Sequence, residues 1–512
     1  MSASDAAVDP RRRGFLALAL AAGVAPAFVA CAHARTWKSD PFALGIASGC
    51  PRPDSVVLWT RIAPASEPGA HEAVSWELAT DEGFRTVVRH GTEIVDADVA
   101  HSVHVQASGL EPSRWYWYRF TAGGERSAVG RTRTAPAPGR EEALSFAIAS
   151  CQRYDDGFYS AWRHLADESP GLVVFLGDYI YESAPRKDRV RTHSGIGAAK
   201  TLDEYRARYA QYKSDADLRR IHASAPWILT WDDHEVQNDY AADRGQDLAP
   251  TFLARRAAAY RAWWEHMPMP PSMRPSGPDL RVYDRYDWGA LARFHVLDDR
   301  QYRDHHACPP PGRAGSTTVN LADCPDLLRA DRTILGHAQE QWLEDGLAQR
   351  DVRWNLIAQQ TLMAPFTWTT EGRYWTDGWA GYPAARDRLL DAIVARKVVN
   401  PVVLSGDVHC NYVCDIKRRV GDPPGAVIAS EFCGTSISSA GLPQSRVAAA
   451  LPLNPHVKYG RSDERGYVAL KLDASRIEAS LRVVSDVEDP KATIRTAAKF
   501  SVESGRPGPQ PG

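Results

Sequence analysis

Three things are missing from this 512-residue sequence, and each narrows what it can be. Net charge is the first: 61 Lys and Arg stand against 63 Asp and Glu, a formal balance of −2. A chain so balanced gives no argument for a nucleic-acid-binding patch or for an anionic membrane surface. Long apolar runs are the second. The run from Phe15 to Ala30 is short for a membrane span, so no transmembrane segment is expected. The third is ordinary zinc chemistry. Cys410 and Cys414 are closely spaced, but no second Cys/His pair of that kind follows, and an all-histidine set is absent. No internal repeat is found. The length suggests roughly two to four domains, or one large domain with a small companion.

What is present begins with a targeting signal. Arg11-Arg12-Arg13 precedes the apolar run, and Arg12-Arg13-x-Phe15-Leu16 matches the twin-arginine export pattern. Residues 1–34 are therefore expected to be a signal peptide, and the protein to be periplasmic or secreted through the twin-arginine machinery. Ala32-His33-Ala34 offers a cleavage site before Arg35. Phe28-Val29-Ala30-Cys31 is a loose lipobox that would instead leave Cys31 lipidated. Simple cleavage is the favoured expectation. Twin-arginine export carries folded proteins, often already loaded with metal, which hints at a cofactor. Cys308 and Cys324 flank a Pro/Gly/Ser/Thr-rich loop and could pair in an oxidising compartment. The Pro/Gly-rich end, 504–512, is expected to fray.

Between these ends the pattern changes once. In 40–135, Val74, Trp76 and Leu78, then Val103, Val105 and Ala107, alternate with polar residues as half-buried strands do. Gly109-Leu110-Glu111-Pro112 and the aromatic run Trp115 to Phe120 resemble the closing turn and strand of a fibronectin III-like sandwich. Nothing there clusters His with carboxylates, so this β-sandwich is assigned a packing role. From 142 to 500, apolar strands alternate with helical stretches, which predicts an α/β core. Strands are expected at 145–150, 171–176, 226–231, 354–358, 401–405 and 426–429, with helices at 156–167, 201–221 and 338–349. Residues 431–439 read as a polar loop.

The chemistry gathers at the ends of those strands. They finish in Cys151, in Gly177-Asp178-Tyr179-Ile180-Tyr181-Glu182, in the Asp232 to Asn238 block, and in Gly406-Asp407-Val408-His409. Ligand-bearing residues of open α/β sheets sit just past the carboxyl ends of strands. Each segment alone has a plain structural reading: a small buried thiol, a helix cap, a core histidine. Together they would bring carboxylates, an imidazole, an amide, a phenolate and a thiolate to one sheet edge, with no basic cluster to neutralise them. A metal would do so. Tyr and Cys suit Fe(III), while carboxylate and amide oxygens suit a harder ion such as Ca²⁺.

The order Ser150-Cys151-Gln152, Gly177-Asp178-Tyr179-Ile180-Tyr181-Glu182, Trp231-Asp232-Asp233-His234-Glu235-x-x-Asn238-Asp239 and Ser405-Gly406-Asp407-Val408-His409 resembles the PhoD-like, alkaline phosphatase D branch of the calcineurin-like metallophosphatases. Further matches run through Asp298-x-Arg300, Leu335-Gly336-x-x-Gln339 and Glu431-Phe432-x-Gly434-Thr435-Ser436. The resemblance implies two mixed β-sheets flanked by helices, behind a fibronectin III-like N-terminal sandwich. It implies Fe(III) (Fe3+) held by Cys151, Tyr181 and His409, Ca²⁺ held by Asn238 and Asp407, and Asp178 bridging both. His234 would stabilise the phosphate or protonate the leaving group. Asp233 would orient His234 or support a ligand. The implied activity is hydrolysis of phosphomonoesters and phosphodiesters by metal-activated hydroxide, serving phosphate acquisition, from a monomer. A purple acid phosphatase-like enzyme and a non-catalytic envelope-binding protein are the alternatives.

Overall fold

The computed structural model describes residues 37, 39–63, 71–195, 197–419 and 426–512. The expected signal peptide, its cleavage site and Cys31 lie outside the described residues. No helix of the described residues is long and apolar enough to cross a membrane.

Two large mixed sheets carry the fold. One has ten strands. Its parallel centre runs through Leu144–Ala149, Leu172–Phe175 and Pro226–Leu229. The other has seven, with a parallel centre of Ala292–Val296, Trp354–Ala358, Pro401–Ser405 and Val427–Cys433. The central strands are short apolar runs because both faces are covered. All of Leu172–Phe175 and all of Pro401–Ser405 are buried. The sheets meet across an apolar core in which Phe146 and Phe294 pack edge to face, centroids 5.4 Å apart. Helices cover the outer faces. Ser160–Asp167 is pinned where Trp162 Nε1 donates to Gln152 Oε1 at 2.8 Å. Leu202–Lys213 opens with a capping box between Thr201 and Glu204.

Three expectations need revision. The helical stretch from 201 is two helices, Leu202–Lys213 and Ala216–Ser224, because Asp215 caps a new start. Glu431 lies within the strand Val427–Cys433, not in a loop. The Pro/Gly-rich end does not fray. Arg506–Pro511 is a strand at the edge of the ten-stranded sheet, paired with Ile494–Glu503. An edge strand has one side that needs no donors, so prolines fit it.

The N-terminal region builds a sandwich, but one of its faces is not a separate sheet. Ile46–Gly49 pairs in parallel with Pro226–Leu229, so Ile46–Gly49, Ser55–Arg61 and Ser102–Ser108 continue the ten-stranded sheet. The second face is a five-stranded sheet containing Glu72–Ala79, Val87–Val95 and Trp115–Ala122. Val56, Leu58, Val74, Leu78, Tyr118 and Phe120 fill the space between them. The Cys308–Cys324 disulfide is formed and closes the loop between them.

Candidate metal centre

The parallel strands of both sheets deliver their carboxyl ends to one place. Each chain turns there through the left-handed region: φ is +58° at Cys151, +58° at Asp178, +65° at Asp407 and +52° at His409. Such conformations cost energy in non-glycine residues and gather at functional sites. The turns also press together. Gly177 has no room for a Cβ, which would fall 2.5 Å from Asp232 Cβ. At Gly406 a Cβ would collide with Ser150 Oγ.

Buried side chains tie the turns to one another. Glu235 accepts from the backbone N–H of Asp178 at 3.1 Å, of Asp232 at 2.8 Å and of Tyr179. Gln360, at the end of Trp354–Ala358, donates to Trp231 O at 2.6 Å and Leu297 O at 3.0 Å, which joins the strand ends of the two sheets. Cys151 N donates to Gly177 O at 3.1 Å and Gln152 N to Asp178 O at 3.1 Å.

The potential ligand atoms form overlapping groups, each within 4.8 Å: Cys151, Asp178 and His409; Asp178, Asp233 and His234; Asp232, Asp233 and Asp407; and Asp233, Asp239 and Asp377. Tyr181 joins the first. Its hydroxyl donates to Asp178 Oδ2 at 2.6 Å and stands 3.0 Å from His409 Nε2. Asn238 lines the same cavity. Its backbone N–H donates to Glu182 at 2.9 Å. The structure thus gathers the thiol, phenol, imidazole and carboxylates that the sequence pointed to. Asp407 sits with Asp232 and Asp233 rather than with Cys151.

Two residues carry roles the sequence did not reveal. His234 Nδ1 is 2.7 Å from Glu182 Oε2, so Glu182 holds the imidazole and Asp233 does not. Asp233 Oδ2 instead accepts from Asp239 N at 2.6 Å and fixes the loop that carries Asn238. Burial alone would push the Glu182 carboxyl up, but His234 beside it brings it down to about 2. Burial likewise disfavours the His234 cation, yet Glu182, Asp178 and Asp233 raise it to about 10. Arg300 is the second. It is fully buried and pairs with Asp232 and with Asp377 at 2.6 Å, and lies 3.6 Å from Asp407. The expectation that no basic cluster neutralises these groups therefore fails on that side, where Arg303 joins Arg300 on Asp377 at 2.9 Å. The Asp298-x-Arg300 motif was visible in the sequence, but its partners are remote along the chain.

Arg300 does not finish the neutralisation. Asp232 Oδ2, Asp233 Oδ1 and Asp407 Oδ2 are buried with no hydrogen-bond donor. Burial, with Asp233, Asp232 and Glu235, pushes the Asp178 carboxyl well above the usual carboxylate range. Burial and the nearby Asp178 and Asp407 carboxylates push the Cys151 thiol up. Uncompensated buried oxygens beside a thiol, phenol and imidazole fit cations, softer donors at one end and oxygen donors at the other. Two cations in such a pocket can clamp a phosphoryl group.

Comparison with known proteins agrees with this geometry. Residues 146–481 match the family described as PhoD-like phosphatase, and 27–136 match the PhoD-like phosphatase N-terminal domain. The chain is 43% identical over 494 residues to alkaline phosphatase D of Bacillus subtilis (strain 168), covering 93% of this chain and 83% of that protein. A solved structure of PhoD superposes with a TM-score of 0.88 at 42% identity, covering 93% of each chain. A purple acid phosphatase from yellow lupin seeds (Lupinus luteus) shares the fold, with a TM-score of 0.57 at 13% identity over 90% of this chain and 74% of that one.

Proposed function

This chain belongs to the PhoD-like phosphatase family and is a phosphoric ester hydrolase, and on that premise we propose that it is an exported phosphodiesterase and phosphomonoesterase working with Fe(III) and Ca²⁺. The observation that carries the proposal is the set of buried, donorless carboxylate oxygens of Asp232, Asp233 and Asp407, in a run of ligand groups that continues through Asp178 to Cys151 and His409. Cys151, Tyr181 and His409 would hold Fe(III), Asn238 and Asp407 would hold Ca²⁺, and Asp178 would contact both. Bound there, the cations supply charge neutralisation and lower the pKa of water. The 1–34 segment, with Arg12-Arg13 and its apolar run, supports twin-arginine export, and an exported phosphoric ester hydrolase would serve phosphate acquisition. The 40–135 sandwich would brace the 142–500 catalytic region.

The chain's own residues supply the rest. Glu182 fixes His234 through Nδ1, which leaves Nε2 for the substrate. An imidazole held on Nδ1 by the Glu182 carboxylate is favoured as the cation and can donate a proton to a leaving oxygen. Asp233 holds the Asp239 backbone and so positions Asn238. Glu235 keeps the Asp178 and Asp232 turns in contact.

The test is hydrolysis of bis(p-nitrophenyl) phosphate by exported protein before and after chelation. Activity should vanish on stripping and return with iron and calcium together. Full activity in the stripped protein would refute the proposal.

A further inference from the structure

The cavity over the centre, about 410 Å³, is not acidic all round. Leu362, Phe366, Trp368, Tyr412, Leu442 and Val447 form a wall of the same space. Phe366 packs against Trp368 and Tyr412 with ring centroids 4.8 and 5.0 Å apart. Arg446 lies 4.8 Å over the Trp368 ring, and Leu442 at the rim is 39% exposed.

This wall is held open by polar anchors behind it. Glu431 accepts from Met363 N and Ala364 N, each at 2.8 Å, and from Ser405 Oγ at 2.7 Å, so one carboxylate ties the wall to the turn that carries Asp407. Arg386 Nε donates to Met363 O at 3.0 Å. Asn454 bonds the Thr367 backbone in both directions, at 3.0 and 2.9 Å. His456 Nε2 lies 2.8 Å from Pro365 O. The rings are thus fixed next to the charged floor instead of collapsing onto it. A bare phosphate group has no use for them. A pocket that combines convergent polar groups with apolar walls binds a ligand with both characters.

We propose that this site selects phosphate esters with an apolar substituent, whose apolar part lies along the Phe366–Trp368–Leu442 wall while phosphorus sits at the acidic floor. The inference rests on the phosphoric ester hydrolase reading and names its substrate class.

The test is calorimetric titration of the metal-loaded full chain with methyl-, phenyl- and hexylphosphonate, which share one anchoring group and are not hydrolysed. Phenyl- or hexylphosphonate should bind roughly tenfold to a hundredfold tighter than methylphosphonate, since each methylene leaving water contributes about fourfold. The tighter ligand should also show the more negative heat-capacity change. A stronger phenyl arm identifies an aromatic substituent and a stronger hexyl arm an acyl-like one. Trp368→Ala, and separately Leu442→Ser at the exposed rim, should each reduce that advantage severalfold. Equal affinity for all three phosphonates overturns the inference and leaves the hydrolase reading standing, as does an advantage that survives both substitutions. Failure of methylphosphonate and inorganic phosphate to bind at all overturns the hydrolase reading, and the wall assignment with it.

Discussion

The two ends of the acidic centre obtain positive charge differently. Asp377 accepts from Arg300 at 2.6 Å, Arg303 at 2.9 Å and His306 at 2.8 Å. Although burial opposes its charge, those arginines hold its carboxyl well below the usual range. Asp178 is as deeply buried, yet no Lys or Arg pairs with it among the described residues. Its carboxyl is pushed well above the usual range by that burial, and neighbouring carboxylates add to it. The fold neutralises Asp377 with its own arginines and leaves Asp178, like the donorless oxygens of Asp232, Asp233 and Asp407, short of charge. A carboxylate that the fold neutralises is structural, whereas one left short of charge is kept for a cation.

Substituting the two aspartates tests that contrast. Asp178→Asn should lower activity on the order of 10³-fold, because a residue that would touch both proposed cations would contribute several kcal/mol. Asn also accepts the left-handed backbone at this position, so the fold is kept. A carboxyl whose pKa rises on folding favours the folded state at low pH and opposes it as pH rises. The metal-stripped variant should therefore melt at or above stripped wild type at neutral pH. Asp377→Asn should do the reverse. It leaves Arg300 and Arg303 short of an acceptor and should cost about 3–5 kcal/mol of stability. If denaturant unfolding shows Asp377→Asn neutral and stripped Asp178→Asn destabilised, the contrast is wrong.

A smaller effect sharpens the account on the substrate side. His234→Ala should lose about 10²–10⁴-fold in kcat on an alkyl phosphodiester, whose leaving oxygen needs a proton. The loss should be much less on a p-nitrophenyl ester, and metal content should be unchanged. Equal kcat losses on both esters would remove the proton-donor role and leave charge stabilisation. A rise in KM alone would mark His234 as a phosphate-binding group.

How much of this was legible in the sequence depended on distance along the chain. Apolar runs such as Leu172–Phe175 and Pro401–Ser405 announce buried strands, and the Gly-Asp that follows marks where a carboxylate emerges. The ligand types could be read in the same way, residue by residue. The partners could not. Arg300 reaches Asp232, Glu182 reaches His234, and Glu235 reaches Asp178 only after strands distant in sequence are in register. Local periodicity does not encode such pairings. The same holds for Ile46–Gly49, which joins the sandwich to the core sheet by pairing with Pro226–Leu229. The proline-rich end was misread because composition does not say that Lys458 and Ser430 await it: Lys458 Nζ donates to Pro509 O at 2.6 Å and Gly508 N to Ser430 Oγ at 2.9 Å.

The central claim is that the carboxylates left short of charge are completed by cations, with Fe(III) against Cys151 and Tyr181. Elemental analysis of natively exported protein, with its visible absorption spectrum, tests this most directly. The account predicts iron together with calcium and a thiolate or phenolate charge-transfer band that is lost on chelation. A colourless, fully active protein containing zinc alone would contradict it.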